Sequence, residues 1–141
     1  MKVLDTPLLL DLLRGRIDVR TLVEHSRGEE LATTELNLYE LEVLARSGPR
    51  VGRDRRVAAV QRLRRKFTVL PVDERACQLA ATAQAAHPRG GSTLEWLMLG
   101  VAKAAGASSW WTVPREAVLP LGGLEVVHFS KKATTSRPSR N

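Results

Sequence analysis

The 141-residue chain has few of the side chains that form disulfides or zinc sites. It contains one cysteine and three histidines, His25, His87 and His128, which lie far apart and lack zinc-ligand spacing. A lone Cys77 excludes an intramolecular disulfide framework and a cysteine-rich zinc site. Because Leu79 and Ala80 follow it closely, we expect Cys77 to be a small buried side chain.

Long apolar runs are also lacking. No run approaches the ~20 residues that span a bilayer. The leucine-rich start carries Asp5 and Asp11 and has no small-residue cleavage site, so it is a poor signal peptide. Hydrophobic residues make up 43% of the chain and charged residues 26%, which is typical of a globular domain. We therefore expect one cytoplasmic domain with no membrane association.

Several catalytic signatures are missing. The sequence has no Gly-x-Ser-x-Gly elbow, which disfavours a serine hydrolase of the α/β type. It has neither Gly-x-Gly-x-x-Gly nor Gly-x-x-x-x-Gly-Lys, so a dinucleotide-binding fold and a P-loop are both disfavoured.

The positive charge, a formal net +7, is concentrated in two segments. Residues 53–66 carry seven bases against Asp54, and residues 130–141 carry four bases and no acid, whereas the rest of the chain is slightly acidic. Clustered bases suit a polyanionic partner, because each one that neutralises a phosphate releases counterions. Residues 130–141 show no periodicity, which predicts a basic tail without regular structure after a domain of residues 1–129.

The first basic segment allows a second interpretation. Val57, Val60, Leu63 and Phe67 recur every three or four residues and predict a helix with one apolar stripe. Its arginines are then either the solvated face of an ordinary helix or contacts to nucleic acid, and the sequence leaves both open.

Short apolar segments alternate with helical patterns along the chain. Strands are predicted at residues 2–4, 31–33, 68–72, 109–112 and 125–129, with helices between them. Thr6 is a plausible N-cap, with Pro7 at the first helical position. This alternation predicts an α/β fold, a three-layer α/β/α sandwich around a mostly parallel sheet of four or five strands. A ligand site is then expected beyond the carboxyl ends of the strands.

Three carboxylates stand out against this pattern. Asp5 ends the first strand, Glu40 lies on the apolar side of its helix, and Glu95 is the sole acid on a strongly apolar helix. Each has an ordinary alternative: a turn or cap for Asp5, a buried ion pair for Glu40, and a helix start favoured by the dipole for Glu95.

If the three converge, they require a cation. Two carboxylates ~5 Å apart repel by roughly 3 kcal/mol at an effective dielectric constant of 20. Hard oxygen ligands without a cysteine or histidine cluster indicate Mg²⁺ or Mn²⁺.

The order and spacing of these segments resemble the PIN-domain (PilT N-terminus) family, and VapC-type toxins in particular. The likeness spans residues 2–129. It is carried by Val3-Leu4-Asp5-Thr6 with residues 8–15, by Thr34-x-x-Asn37-x-Tyr39-Glu40-Leu41, and by residues 69–73, 95–107, 111–112 and 123–127.

The resemblance implies a Mg²⁺-dependent endoribonuclease, with Mn²⁺ as a possible substitute. Asp5, Glu40 and Glu95 would be the metal-binding and catalytic residues. The basic helix and tail would hold the RNA backbone. By the same resemblance we expect a cognate antitoxin protein and a homodimer.

The resemblance also gives supporting roles to neighbouring polar residues. Thr6 and Thr112 would be supporting or phosphate-contacting hydroxyls, and Thr34 and Asn37 would orient Glu40. Glu95 stands where the family has Asp, and Pro114 stands where many members have Asn or Asp, with Glu116 nearby as a substitute. These departures favour a rival hypothesis, a catalytically impaired PIN-like module that binds RNA or a protein partner.

Overall fold

The computed structural model describes residues 1–114 and 121–129, together with the backbone of residues 134–137. The elements in chain order are β1 (Lys2–Leu4), α1 (Thr6–Leu13), α2 (Val19–Ser26), β2 (Leu31–Thr34), α3 (Glu35–Ser47), α4 (Arg53–Arg64), β3 (Thr68–Leu70), α5 (Glu74–Ala86), α6 (Thr93–Ala104), β4 (Ser109–Thr112), β5 (Glu125–Phe129) and β6 (Thr134–Arg137).

The six strands form one sheet in the order β3-β2-β1-β4-β5-β6. The first five strands in chain order are mutually parallel, and β6 pairs antiparallel with β5 at the edge. The predicted α/β fold with a mostly parallel sheet is confirmed. The parallel strands number five, and β6 adds a sixth from the segment that was expected to lack regular structure.

Helices cover both faces of the sheet. Helices α1 to α4 pack on the face that carries Leu4 and Trp111. Helices α5 and α6 pack on the opposite face, which carries Val3 and Trp110. Successive residues of a strand point to opposite faces, so β1 and β4 each contribute to both cores. The two adjacent tryptophans are both buried, because each face has its own helical layer.

Local side-chain caps set where the helices begin. The side chains of Asp18, Thr34, Asp73 and Ser92 each accept a hydrogen bond from a backbone N–H in the first turn of the following helix. Such caps satisfy donors that have no partner inside the helix. The prediction of Thr6 as the cap of α1 was wrong: Asp5 is the N-cap, and Thr6 is the first helical residue.

Helices α5 and α6 approach closely at a glycine. A Cβ atom on Gly100 would lie 2.5 Å from the carbonyl oxygen of Ala76 and 2.9 Å from the Cβ of Ala80. A side chain therefore does not fit at this position unless α5 moves. The glycine allows α6 to pack tightly against α5. Among the described helices, none has the length and apolar character that crossing a membrane requires.

Candidate active site

A cavity of about 200 Å³ opens beyond the carboxyl ends of β1 and β4, between α1, α3 and α6. Its walls contain the three carboxylates that the sequence singled out, on residues Asp5, Glu40 and Glu95. The remaining lining residues are Thr6, Pro7, Met98, Leu99 and Trp110. The three carboxylates line one cavity because the strands of a parallel sheet end at a common edge.

The carboxylate of Asp5 is buried and held at both oxygens. Its Oδ1 accepts hydrogen bonds from the backbone N–H of Thr6 at 2.7 Å and from Asn37 Nδ2 at 3.3 Å. Its Oδ2 accepts from the hydroxyl of Thr112 at 2.9 Å. Asp5 is thus the N-cap of α1 and also the innermost acid of the cavity, which fixes its orientation.

Glu40 is half-buried on α3 and is held from α1. The Thr6 hydroxyl donates to Glu40 Oε1 at 2.6 Å. Within residues 1–114 and 121–129, Glu40 forms no ion pair with lysine or arginine. The alternative of a buried ion pair therefore finds no support in the described part of the chain. Glu42, two residues further along α3 and on a different face, does form the ordinary surface pair with Arg46, at 2.9 Å.

Besides lining the cavity, Glu95 forms hydrogen bonds that cap the start of α6. Its Oε1 accepts from the backbone N–H of Ser92 at 3.4 Å and from the Ser92 hydroxyl at 3.3 Å, while Ser92 Oγ accepts from the Glu95 N–H at 3.2 Å. This is a capping box, and the Ser-x-x-Glu spacing at residues 92–95 is its sequence signal. Sequence reasoning missed Ser92. Glu95 lines the cavity while also stabilising its own helix.

Buried neutral groups connect the two inner acids. Asn37, which is fully buried, donates from Nδ2 to Asp5 Oδ1 and to Thr6 Oγ1, the latter at 3.0 Å. The Thr34 hydroxyl donates to Asn37 Oδ1 at 2.6 Å. Asn37 therefore contacts Asp5 and Thr6, and its link to Glu40 runs through the Thr6 hydroxyl.

The donor set suits a hard divalent cation, because carboxylate oxygens are the ligands that Mg²⁺ and Mn²⁺ prefer. Asp5 and Glu40 are the inner candidates, and Glu95 lines the same cavity. In the part of the chain that the structure describes, no three acids, histidines or cysteines stand close enough together to hold one ion. Glu116 lies outside the described residues.

The basic side chains of residues 53–66 fall into two groups, those that contact other parts of the fold and those that face solvent. Arg64 forms a two-point pair with Glu35 at 2.6 and 2.8 Å, which lowers the pKa of that carboxyl, and Arg56 donates to the Ala45 carbonyl at 3.0 Å. Five other basic side chains are exposed and contact no acid of the described residues: Arg53, Arg55 and Arg62 on α4, and Arg65 and Lys66 directly after it. The helix therefore combines structural arginines with a solvated basic surface.

A five-stranded parallel sheet with helices on both faces and acids at its carboxyl edge defines an α/β domain with a candidate metal-dependent active site. The model of the PIN domain family matches residues 2–110. The chain belongs to the PIN domain family, as its motifs predicted. No curated protein matches it.

Several solved structures share the fold. DNA-bound VapBC from Salmonella typhimurium matches with a TM-score of 0.76 and 17% identity, covering 89% of this chain and 95% of that one. VapBC-5 from Mycobacterium tuberculosis, a toxin-antitoxin system, matches at 0.65 and 21%, covering 91% and 98%. VapC20 of the same organism, a toxin that cleaves the sarcin-ricin loop, matches at 0.62 and 18%, covering 82% and 92%.

Proposed function

We propose that the protein is a metal-dependent endoribonuclease of the PIN type that hydrolyses RNA phosphodiesters. The observation that carries this proposal is the meeting of Asp5, Glu40 and Glu95 on one cavity at the carboxyl edge of the sheet. Glu40 and Glu95 have no ion pair in the described part of the chain, so their charge is available to a cation. Membership of the PIN domain family supports the same chemistry.

Asp5, Glu40 and Glu95 would hold Mg²⁺ or Mn²⁺ after Glu95 leaves the Ser92 hydroxyl, since no three acids of the described residues stand close enough to hold one ion as they lie. A divalent cation bound there would supply an activated water and would neutralise charge on the reacting phosphodiester. The protein keeps the acids in place with neutral donors: Thr112 for Asp5, Thr6 for Glu40 and Ser92 for Glu95. Neutral donors fix the orientation of a carboxylate without cancelling its charge.

Other parts of the chain would bind the substrate. The exposed bases of α4 and the basic residues 130–141 would contact the RNA backbone, since each neutralised phosphate releases counterions. Thr6 would contact the reacting phosphate, and we propose Glu116 as a further supporting or substrate-contacting residue. Replacing Arg62 and Lys66 together by Gln is expected to reduce the salt dependence of RNA affinity by about 1.4 logarithmic units per decade of salt, about 0.7 for each phosphate contact. Arg20→Gln, on α2, is the control with no expected change.

The partners would be those of a toxin-antitoxin pair. The relatives with this fold include VapBC complexes and a VapBC toxin-antitoxin system. By that likeness we propose a cognate antitoxin protein, a homodimer and a cytoplasmic location.

Cleavage of structured RNA with Mg²⁺ or with EDTA tests the proposal. Asp5→Asn removes the charge of the innermost acid with little change of shape, so cleavage should fall by more than the 10–100-fold typical of residues that only support a ligand. Asp11→Asn is the matched control, because Asp11 lies elsewhere on α1 and contacts Arg16 at 3.5 Å. Equal cleavage by Asp5→Asn, or full cleavage in EDTA, contradicts the proposal.

The rival function is an RNA- or protein-binding module without turnover. It is favoured by the capping box of Glu95 and by the lack of a close group of three metal ligands among the described residues. It predicts salt-sensitive RNA binding in EDTA, no cleavage, and no tight binding of Mn²⁺ in a calorimetric titration. Tight Mn²⁺ binding that Asp5→Asn abolishes would exclude it.

A further inference from the structure

The hydrogen-bond directions around Asn37 are fixed by its neighbour Thr34. The backbone N–H of Asn37 donates to Thr34 Oγ1 at 3.1 Å, and the Thr34 hydroxyl hydrogen goes to Asn37 Oδ1 at 2.6 Å. The side-chain carbonyl of Asn37 is therefore an acceptor toward Thr34. Its NH₂ group must face the other way, into the site.

The NH₂ group of Asn37 donates toward Asp5 directly and toward Glu40 through Thr6. It contacts Thr6 Oγ1 at 3.0 Å, Asp5 Oδ1 at 3.3 Å and the sulfur of Met98 at 3.4 Å. Because Thr6 Oγ1 accepts from Asn37, its own hydrogen is left to donate to Glu40 Oε1. The Thr34 hydroxyl thus donates to Asn37 Oδ1 and the Thr6 hydroxyl to Glu40 Oε1, with the Asn37 NH₂ group between them.

We infer that Asn37 is a positioning residue that couples the orientations of Asp5 and Glu40, two acids on different elements, and that it does so together with Thr6. It acts on Asp5 directly and on Glu40 through the direction it imposes on the Thr6 hydroxyl. This role rests on the proposed function, since it concerns how the same two acids are presented to a cation. Asn37 is fully buried, so its NH₂ group is directed at protein groups and not at bulk solvent.

The first arm of the test needs no metal. Hydrogen exchange of the Asn37 side-chain amide is followed by NMR on the full chain in EDTA. Thr6→Val and Thr34→Val should each accelerate this exchange by about 10-fold, which corresponds to the loss of one net hydrogen bond. Thr33→Val is the matched control: Thr33 is equally buried, but its hydroxyl donates to the Leu4 carbonyl at 2.9 Å, so the exchange of Asn37 should not change.

The second arm measures Mn²⁺ affinity by calorimetry. Asn37→Leu and Thr6→Val should each weaken binding by roughly 10–100-fold. Because both substitutions interrupt the same series of hydrogen bonds, their effects on Mn²⁺ affinity should not add. The double variant should bind Mn²⁺ within about 2-fold of the single variant that binds it less tightly. Thr33→Val should bind Mn²⁺ as the native chain does. Thermal unfolding in EDTA shows that each variant is folded.

Two results overturn the inference. One is unchanged exchange of the Asn37 amide in Thr6→Val, and the other is a double variant whose loss of affinity is the product of the single losses. If the native chain binds no Mn²⁺, that result contradicts the proposed function instead. Hydrogen exchange of the Asn37 side-chain amide then tests the coupling by itself.

Discussion

The carboxylates at the two ends of the sheet have different hydrogen-bond donors, charged amines at the amino end and neutral groups at the carboxyl end. At the amino end, Glu29 accepts hydrogen bonds from the charged amines of Lys2 and Met1 and from the Ser108 hydroxyl, each at 2.8 Å. These contacts, with Lys2 the largest cause, lower the pKa of Glu29 from 4.5 to about 2. The negative charge at this end is matched by positive charge within the fold.

At the carboxyl end, the donors are neutral. Glu40 is held by the hydroxyl of Thr6, and Glu95 by the hydroxyl and backbone N–H of Ser92. Both ends fix their acids in space, but the carboxyl end leaves the charge of Glu40 and Glu95 without an ion pair in the described part of the chain. Repulsion between acids that share a cavity is a cost in stability, which a bound cation would remove.

The largest expected effect follows from removing one of these charges. Glu40→Gln keeps an oxygen that can accept from Thr6, so in EDTA the variant should be at least as stable as the native chain. At Mn²⁺ concentrations about 100 times the dissociation constant, the native chain should gain about 2.7 kcal/mol, and the variant should lose most of that gain. Thermal unfolding with and without Mn²⁺ measures both effects.

Glu42→Gln is the control for this prediction, because Glu42 lies on the same helix and pairs with Arg46 outside the cavity. The variant should keep the Mn²⁺-dependent gain. A Glu40→Gln variant that is markedly less stable in EDTA would show that the carboxyl end is not under electrostatic strain.

A smaller effect is expected from a neutral donor at the carboxyl end. Thr112→Val removes the hydroxyl that donates to Asp5 Oδ2 and places a methyl group against a buried carboxylate. A buried acceptor that loses its donor costs about 1–3 kcal/mol in the free energy of unfolding. Urea denaturation in EDTA measures this loss.

Thr82→Val supplies the comparison, since the exposed Thr82 hydroxyl bonds only to a carbonyl of its own helix among the described residues. Its effect should stay within about 0.5 kcal/mol. Equal effects of the two substitutions would contradict the importance of the Thr112 contact.

The smallest effect is expected at the amino end. At neutral pH, Glu29→Gln should lower the free energy of unfolding by less than about 1 kcal/mol, because the side chain of Glu29 is 41% exposed and water and salt screen its pairs. The folded pKa lies below the unfolded one, so this stabilisation is complete above pH 4.5 and is lost as the pH falls toward 2.

Unfolding measured between pH 6 and pH 2 (about one point per half unit) should show a steeper loss for the native chain than for Glu29→Gln. Glu24→Gln, at an exposed pair with Arg20 on α2, is the control and should follow the native curve. Identical curves for the native chain and Glu29→Gln would contradict the proposed strength of the amino-end contacts.

Much of the fold could be predicted from local patterns. Strands β4 and β5 have the predicted bounds, because apolar segments between glycine-containing turns are a local signal. The caps at Asp73 and Ser92 are a local signal too, because each side chain accepts from a backbone N–H three residues further on. The strand predicted at residues 68–72 ends earlier, at Leu70.

Side-chain environments were harder to predict. Cys77 was expected to be buried and is exposed, because α5 turns Ala76 and Ala80 toward α6 and Cys77 points away from that contact. For α4, periodicity located the apolar stripe correctly, but the sequence could not separate Arg64, which pairs with Glu35, from the exposed bases. That division depends on which helix lies alongside.

The sequence by itself determined the order of the elements up to β5, the parallel sheet and the edge at which the acids gather, because caps, turns and alternation act over a few residues. Tertiary structure decided how Asp5 and Glu40 are held, whereas the capping box of Glu95 is local. The bonds from Asn37 and Thr112 to Asp5 join residues 32 and 107 positions apart, and the bond from Thr6 to Glu40 joins residues 34 positions apart. Contacts of that range follow from how layers pack, which no local pattern encodes.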